Sequence, residues 1–288
     1  MNTTSKSQNV NLGILLLCMG VLLFALGEAC VKLLAKDFHI IQVVWARYVF
    51  HALVFILIFS RSGLLDQIKT TRPGLQIARS IALMLGTITF FTALIYLSLP
   101  EAVAINFVAP LFVTALSIPF LGEKVGPRRW TAILVGFMGV LIIIRPGLGV
   151  MHWAAFLPIL TAIFYAAYQI MTRIAARTEK TKTSLFWTST VGVIVMSCAV
   201  PFFWKEPDTI SWIIMLTTGG FFGLGHYLLI RAFELSAIST LSPFLYTQII
   251  WVTIISIIVF NELPDSYAFI GTAIVIGSGL YIWHRETH

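Results

Sequence analysis

The sequence predicts an all-α integral membrane protein with ten transmembrane helices arranged as two inverted five-helix repeats. Composition, the lengths of the apolar runs and the placement of basic residues lead to this fold. Hydrophobic residues make up 58% of the 288 positions and charged residues 11%, and mean hydropathy is +0.92. Soluble domains carry charge at roughly a quarter of their positions. The composition therefore excludes a soluble protein, and the net charge of +7 indicates basic loops that set topology rather than a nucleic-acid surface.

Ten apolar runs have lengths suited to membrane crossing. An α-helix needs about 20 apolar residues to span a hydrocarbon core of roughly 30 Å. The runs are Leu12–Ala35, Ile40–Ser60, Leu75–Leu97, Ala102–Leu121, Trp130–Ile144, Trp153–Ala176, Leu185–Trp204, Ser211–Phe233, Thr240–Phe260 and Tyr267–Trp283. The fifth and tenth are the shortest, and no connection between runs is long enough for a soluble domain. Any function must therefore lie in the helix bundle.

Basic residues predict the orientation. Of the 19 Lys and Arg, fourteen fall on the side of the termini, four on the opposite side, and Arg47 lies within a span. Cytoplasmic loops carry the excess of Lys and Arg. Both termini are therefore predicted to be cytoplasmic.

The even division of ten helices predicts an internal repeat. Because five is odd, the second half must enter the membrane upside down relative to the first, an architecture common in secondary transporters. Glu28 and Lys32 in the first helix have counterparts in Gln169 and Arg173 of the sixth, each pair spaced i to i+4. The repeats are predicted to cover residues 1–146 and 147–288.

Three ionisable residues in the first two helices are candidates for a substrate site. A charge inside a span costs several kcal/mol, so Glu28 and Arg47 are expected to face the bundle interior. They share a depth, and an ion pair between them is one interpretation. The other is that Glu28 binds a cationic group or a proton while Arg47 binds a carboxylate or phosphate. His51, one turn deeper, is either a proton relay or a packing residue.

Prolines and aromatic residues extend the candidate site to later helices. Pro110, Pro158 and Pro243 are each expected to free a backbone carbonyl, and broken helices are tolerated where they line a cavity. Aromatic side chains there are interpreted either as a stacking wall for a planar ligand or as core packing. The further candidates for substrate binding are Phe90, Asn106, Tyr165, Gln169, Tyr246, Gln248 and Trp251.

Three arginines near the side of the termini are candidate gating residues. Arg79, Arg173 and Arg231 lie within two turns of that face. Snorkelling to the interface is the favoured interpretation. The alternative is a basic gate that attracts an anionic or zwitterionic solute.

Signals of an enzyme are absent from the sequence. We find no His or Cys pair with metal spacing, no Gly-rich phosphate loop and no nucleophile elbow. We therefore expect no catalytic residue, no bound metal and no cofactor.

Several short motifs together resemble the EamA-type drug/metabolite transporters. Within that family, Glu28-Ala-Cys-Val-Lys32, Arg47 and Glu262-Leu263-Pro264-Asp265 are similar to the branch that includes S-adenosylmethionine uptake carriers. The family motifs are Pro110-Leu111-Phe112, Phe120-Leu121-Gly122-Glu123, Gly136-Phe137-Met138-Gly139-Val140 and Arg145-Pro146-Gly147, then Ala232-Phe233, Pro243, Tyr246, Phe260-Asn261-Glu262 and Gly271. The resemblance implies alternating access across a bacterial inner membrane, with a central cavity lined by helices one, three, four, six, eight and nine.

The sequence thus predicts a secondary transporter of a small polar or zwitterionic organic metabolite. An exporter of amino acids or drugs is the alternative within the class, and a membrane-embedded sensor or enzyme is the alternative outside it. The expected partners are the lipid bilayer and a small-molecule substrate, with no nucleic acid. A coupled proton or sodium ion and a homodimer stay open as alternatives.

Overall fold

The computed structural model describes residues 3–59, 68–122, 126–145, 152–236 and 241–287, and these ranges are helical with short connections and no strand. The simple helices are α1 (Thr3–Leu34), α2 (Ile40–Phe59), α3 (Pro73–Tyr96), α5 (Pro127–Ile144), α8 (Thr209–Leu235) and α10 (Ser266–Thr287). The composite ones are α4 (Leu99–Asn106 and Ala109–Leu121), α6 (Phe156–Ala175 after a 3-10 turn at Trp153–Ala155), α7 (Thr181–Ala199 before a 3-10 turn at Val200–Phe203) and α9 (3-10 Ser242–Tyr246, α Thr247–Ile255, π Ser256–Phe260).

The ten predicted spans are confirmed as helices. Within the described ranges, seven are long and apolar enough to cross a membrane, and α5, α9 and α10 are shorter apolar helices. Large apolar side chains also cover the outside of the bundle: Leu57, Phe120 and Ile258 are 68%, 63% and 76% exposed. Exposed apolar patches of this kind fit a surface that faces lipid. The chain is therefore a multi-pass membrane protein.

Helix packing repeats itself between the two halves. Three helix contacts each have an equivalent in which the two halves exchange roles. The contact of α1 with α8 corresponds to that of α6 with α3, and the contact of α2 with α8 corresponds to that of α7 with α3. The contact of α4 with α6 corresponds to that of α9 with α1. The two remaining major contacts, α2 with α7 and α5 with α10, each join equivalent helices. Adding five to every helix number therefore reproduces this set of major contacts. The predicted boundary between residues 146 and 147 lies outside the described residues.

Most helices begin a few residues before the predicted apolar runs, and α1 and α4 illustrate the reasons. Helix α1 begins at Thr3 rather than Leu12, because hydropathy marks the part of a helix in lipid and not its end. Helix α4 begins at Leu99 rather than Ala102. The Ser98 hydroxyl accepts from the Glu101 amide while the Glu101 carboxylate accepts from the Ser98 amide, a capping box.

Proline accompanies a break in α4 and a 3-10 segment at the start of α9, two of the three helices in which a break was predicted. Helix α4 stops at Asn106 and resumes at Ala109, with Pro110 in the first turn of the second segment. Pro243 lies in the 3-10 segment that opens α9. The prediction was wrong for Pro158, which is the third residue of α6. The first amides of a helix have no intrahelical partner, so proline there removes no hydrogen bond.

Candidate functional site

Glu28 is buried in the interior face of α1. Its side chain is 6% exposed, and its Oε1 accepts a hydrogen bond of 2.8 Å from Gln248 Nε2 on α9. Its other oxygen, Oε2, is buried and has no hydrogen-bond partner. A buried polar atom without a partner carries a free-energy cost of about 1 to 3 kcal/mol, more when the group is charged. Glu28 is therefore held in place by one oxygen and free to bind through the other.

Arg47 is buried on α2 among aromatic rings. Its guanidinium centre lies 4.6 Å from the ring centroid of Phe222, 4.8 Å from that of Tyr48 and 5.7 Å from that of Phe91. Its Nη1 donates a hydrogen bond of 3.2 Å to Thr87 Oγ1, while Nε has no partner. Cation–π contacts lower the cost of burying a guanidinium. Arg47 thus keeps one donor for a ligand.

Glu28 and Arg47 do not form the ion pair that was one of the two interpretations. The carboxylate is engaged by Gln248 on α9, and the guanidinium is engaged by Thr87 on α3 and the aromatic rings. Phe222 on α8 occupies the space between α1 and α2, because its ring packs directly against Gly27 and the Arg47 guanidinium. The Glu28 carboxyl and the Arg47 guanidinium therefore contact different neighbours.

His51 lies beside a second histidine that the sequence analysis did not single out. Its ring stacks on that of His226 on α8, with centroids 5.1 Å apart and an interplanar angle of 23°. His226 Nδ1 lies 2.7 Å from the Phe222 carbonyl oxygen, and its ring meets the Phe24 ring edge-on at 4.8 Å. His51 Nδ1 is buried without a partner. The only signal in the sequence was the presence of His226 within an apolar helix.

Most buried polar atoms without a hydrogen-bond partner belong to predicted substrate-binding residues. Five of the six side chains that carry such an atom in the described ranges were predicted substrate-binding residues, and Tyr48 is the sixth. The atoms are Glu28 Oε2, Arg47 Nε, Tyr48 Oη, His51 Nδ1, Asn106 Oδ1 and Trp251 Nε1. Buried polar groups are normally hydrogen-bonded, so these six atoms are exceptions within the described ranges.

The other predicted lining residues fall into separate places. Gln248 and Trp251 share one face of α9 at i to i+3 spacing, next to Glu28. Asn106 lies at the break of α4, and Phe90 is buried in the main apolar core. On α6, by contrast, Tyr165 stacks on Tyr168 at 5.9 Å and Gln169 is half-buried.

Tyr246 lines a cleft between α4, α5, α9 and α10. Its ring stacks on Phe107 at 4.9 Å, and its hydroxyl lies directly against Gly279. Pro110, Phe137 and Ser278 line the same cleft. This places Tyr246 apart from the hydrogen bond between Glu28 and Gln248.

Arg79 does not snorkel to the interface. Its side chain is 1% exposed and donates to Gln76 Oε1 at 2.9 Å, Ser184 O at 2.6 Å, Thr172 Oγ1 at 3.1 Å and Tyr168 Oη at 3.2 Å. Snorkelling was the wrong interpretation, because acceptors on α3, α6 and α7 surround the guanidinium and replace its water shell. Arg79 joins three helices near the face of the bundle that carries the termini.

The other two candidate gating arginines are exposed at the same face. Arg231 forms an ion pair of 2.6 Å with Glu234, and their side chains are 49% and 55% exposed. Arg173 is exposed in the last turn of α6. Both positions fit snorkelling side chains.

A clamp between two loops lies at this face as well. The Glu179 carboxylate accepts from Thr71 Oγ1 at 2.7 Å, from the Thr71 amide at 2.8 Å and from Thr70 Oγ1 at 2.9 Å. The hydrogen bond from the Thr71 hydroxyl is the main reason why the pKa of Glu179 lies below its ordinary value. The clamp ties the α6–α7 connection to the segment before α3.

At the opposite face, an ion pair connects the two halves. Lys32 Nζ on α1 donates to both Glu262 oxygens, at 2.8 Å and 2.6 Å, and to the Leu97 carbonyl at 3.0 Å. Ser256 donates to the same carboxylate, and the Phe260 ring lies 5.1 Å from the Lys32 ammonium. We call this group the Lys32–Glu262 lock. The sequence resemblance pointed to both residues but not to their contact, and Glu123, which precedes α5 as Glu262 precedes α10, lies outside the described residues.

The chain is similar to known transporters over almost its whole length. It is 26% identical to the S-adenosylmethionine uptake transporter of Rickettsia bellii, with 99% of this chain and 97% of that protein covered. It is 25% identical to a riboflavin transporter of Rhizobium johnstonii, with coverage of 82% and 78%. A solved crystal structure that is 15% identical covers 96% of this chain and 99% of its own, with a TM-score of 0.67, and it supports the fold alone.

The family assignment agrees with the two-repeat packing. The EamA-like transporter family matches residues 11–145 and residues 152–283, one match in each half of the chain. Each match contains five of the ten helices. The chain therefore belongs to the EamA-like transporter family and is a transporter of a small metabolite rather than an enzyme.

Proposed function

We propose that this transporter takes up a small zwitterionic metabolite that also carries a positive charge, of the kind represented by S-adenosylmethionine. The observation that carries the proposal is the pair of buried, separate, opposite charges with free binding atoms, Glu28 Oε2 and Arg47 Nε. A carboxylate is the natural partner of an ammonium or sulfonium group, and a guanidinium binds a substrate carboxylate. A neutral solute would leave both buried charges uncompensated.

Aromatic rings between the two charged groups support a substrate with a planar ring. Phe222 stacks on Phe24 at 5.9 Å and packs against Phe91 at 5.7 Å. Aromatic rings bind planar ligands by offset stacking or edge contact. An adenine between the charged ends of a metabolite suits this cluster.

The same proposal includes topology. We place both termini in the cytoplasm of a bacterial inner membrane because basic residues dominate the terminal face. The Lys32–Glu262 lock then lies on the periplasmic side. The repeats are proposed to cover residues 1–146 and 147–288, and rocking of one against the other would expose Glu28 and Arg47 to each side in turn.

A flavin-like substrate is the second candidate. The aromatic cluster favours it as strongly, and a relative is named as a riboflavin transporter. Riboflavin has no cationic group, so the buried Glu28 carboxylate distinguishes the two candidates.

Uptake by purified protein in liposomes tests the proposal. We expect the wild type to take up labelled S-adenosylmethionine, and we expect Glu28→Gln and Arg47→Gln each to reduce uptake by about tenfold or more, since each loses a charge-assisted contact worth about 1.5 to 3 kcal/mol. Glu28→Gln keeps the acceptor for Gln248, so its thermal stability should not fall.

The matched control is Glu234→Gln, which removes an exposed carboxylate at the terminal face and should leave uptake unchanged. Uptake of riboflavin but not of S-adenosylmethionine would move the assignment to the second candidate. Wild-type uptake rates in Glu28→Gln would remove the carboxylate from the site.

A further inference from the structure

The stacked histidines of α2 and α8 form a polar island inside the bundle. His51 and His226 lie ring over ring between α2 and α8, whereas the hydrogen bond from Gln248 to Glu28 joins α9 and α1. Aromatic side chains surround the island, including Phe24 at its edge and Phe222 one turn away on α8. Two adjacent imidazoles at this depth are costly to bury and point to function.

Hydrogen bonding defines what the pair can bind. A carbonyl oxygen only accepts, so His226 Nδ1, at 2.7 Å from the Phe222 oxygen, must carry the hydrogen. Its Nε2 therefore carries the lone pair of the neutral ring. His51 Nδ1 is buried without a hydrogen-bond partner. The pair thus offers basic ring nitrogens to a proton.

Neighbouring charge limits the pair to one proton. The Arg47 guanidinium lies one turn from His51 on α2, and its centre is 4.6 Å from the ring of Phe222, which lies one turn from His226 on α8. A second imidazolium beside the first and beside Arg47 would place three positive charges together in a low-dielectric interior. The other titratable or charged side chains in spans of the packed helices are Cys18, Glu28, Cys30 and Lys32 on α1, Tyr48 on α2, Arg79 and Tyr96 on α3, Cys198 on α7, and Tyr227, Arg231 and Glu234 on α8.

We propose that His51 and His226 form a one-proton site that couples solute movement to a proton gradient. The proton adds to a free ring nitrogen, no bond other than N–H forms or breaks, and the same proton leaves on the other side of the membrane. The inference rests on the proposed transport function and adds its driving ion.

Phe222 connects the proton site to the substrate site. Its carbonyl holds His226, and its ring contacts the Arg47 guanidinium and the Phe24 and Phe91 rings. A proton on the pair repels Arg47 and alters the position of α8 against α2. Occupation of one site therefore changes the geometry of the other.

Transport assays in liposomes distinguish proton coupling from solute transport itself. In wild-type proteoliposomes, a pH difference of one sign should drive S-adenosylmethionine above its equilibrium level. His226→Gln should lose this accumulation while still exchanging labelled for unlabelled solute, because exchange needs no net proton movement. The matched control is His39→Gln. His39 lies in the connection before α2, where its ring stacks on Phe203, and the variant should accumulate solute as the wild type does.

Three transport results would overturn the proposal. One is accumulation by His226→Gln equal to that of the wild type, and another is wild-type exchange that no pH difference of either sign converts into accumulation. Loss of exchange in a folded His226→Gln protein would also overturn it, because His226 would then bind solute.

If the protein does not transport S-adenosylmethionine, the proposed function fails but the proton site stays testable. A measurement that needs no solute then tests the proton site. ¹⁵N-histidine NMR of the full chain in nanodiscs should show His51 and His226 taking up one proton between them. In His226→Gln, the remaining His51 should titrate as a single group. Two protons bound independently, or none across the pH range in which the fold is retained, would overturn the one-proton site.

Discussion

At the scale of single residues, Arg79 has the most complete set of partners in the described part of the chain. Its guanidinium donates to four acceptors on three helices and is almost inaccessible. We expect Arg79→Met to lower the free energy of unfolding by about 3 kcal/mol, because buried acceptors then lose their donor. Thermal unfolding of purified protein in nanodiscs measures this.

The control for Arg79 is another arginine at the same face. Arg231 is about half exposed in its ion pair with Glu234, and exposed pairs contribute about 0 to 1 kcal/mol. Arg231→Met should therefore change stability little. Equal unfolding temperatures for the two variants would contradict a structural role for Arg79.

The residue types of the site were readable from the sequence, but their partners were not. Glu28 and Arg47 stand out because charge in a span is costly wherever it occurs. Their separation depends on Phe222, almost two hundred positions later in the chain, whose ring packs against both Gly27 and Arg47. Hydropathy and spacing carry no information on such distant packing.

At the scale of helices, α2 and α8 are held together by a close approach at Gly219. A Cβ at this position would lie 2.3 Å from Phe50 Cβ and 2.9 Å from the His51 amide nitrogen. We expect Gly219→Ala to destabilise the protein by about 1 to 3 kcal/mol, the usual cost of overpacking. Thermal unfolding in nanodiscs checks the value.

The next residue on α8 supplies the matched control. A Cβ at Gly220 would meet nothing within 4 Å. Gly220→Ala should be neutral or stabilise by up to about 1 kcal/mol through higher helix propensity. If Gly219→Ala behaved in the same way, the close approach of α2 and α8 would be disproved.

Helix existence was predictable from hydropathy, while helix ends depended on local chemistry. Pro100 and Glu101 were predicted to lie in a break between two helices. However, proline at the start of a helix and glutamate three residues after a serine both favour helix initiation. Helix α9 combines 3-10, α and π geometry, and it ends at Asn261 with a φ of 54°. Apolar composition does not distinguish these geometries.

At the scale of the whole molecule, the Lys32–Glu262 lock joins the two halves at one face only. Lys32 is 11% exposed, so its charge depends on Glu262 for compensation. We expect Glu262→Gln to favour a state open at this face, where water solvates the ammonium. Spin labels at Ile95 and Leu263, in a background with the three cysteines replaced, should then show a longer distance population.

A second ion pair at the same face provides the control. Arg145 and Asp265 connect α5 and α10, helices that also pack along their lengths. Arg145→Gln should leave the label distances unchanged. A longer distance in both variants would show general loosening instead of release of a specific lock.

Parity and basic residues predicted the two-repeat architecture, because an odd number of spans per repeat requires inversion. They did not predict the lock, whose residues are 230 positions apart. Pairing across the repeats depends on how the two halves tilt against each other. That tilt leaves no periodic trace in one sequence.

The contact between α5 and α10 has a consequence for how the halves can move. A Cβ on Gly139 would lie 2.8 Å from the Gly271 carbonyl oxygen, and one on Gly271 would lie 2.5 Å from the Gly139 oxygen. The two backbones therefore touch at a point shared by equivalent helices of both repeats. Sliding past this point would drive neighbouring bulky side chains into the opposing backbone, whereas swivelling about it would not. If the two helices swivel at the glycine contact, we expect the helix ends farthest from it to move the most.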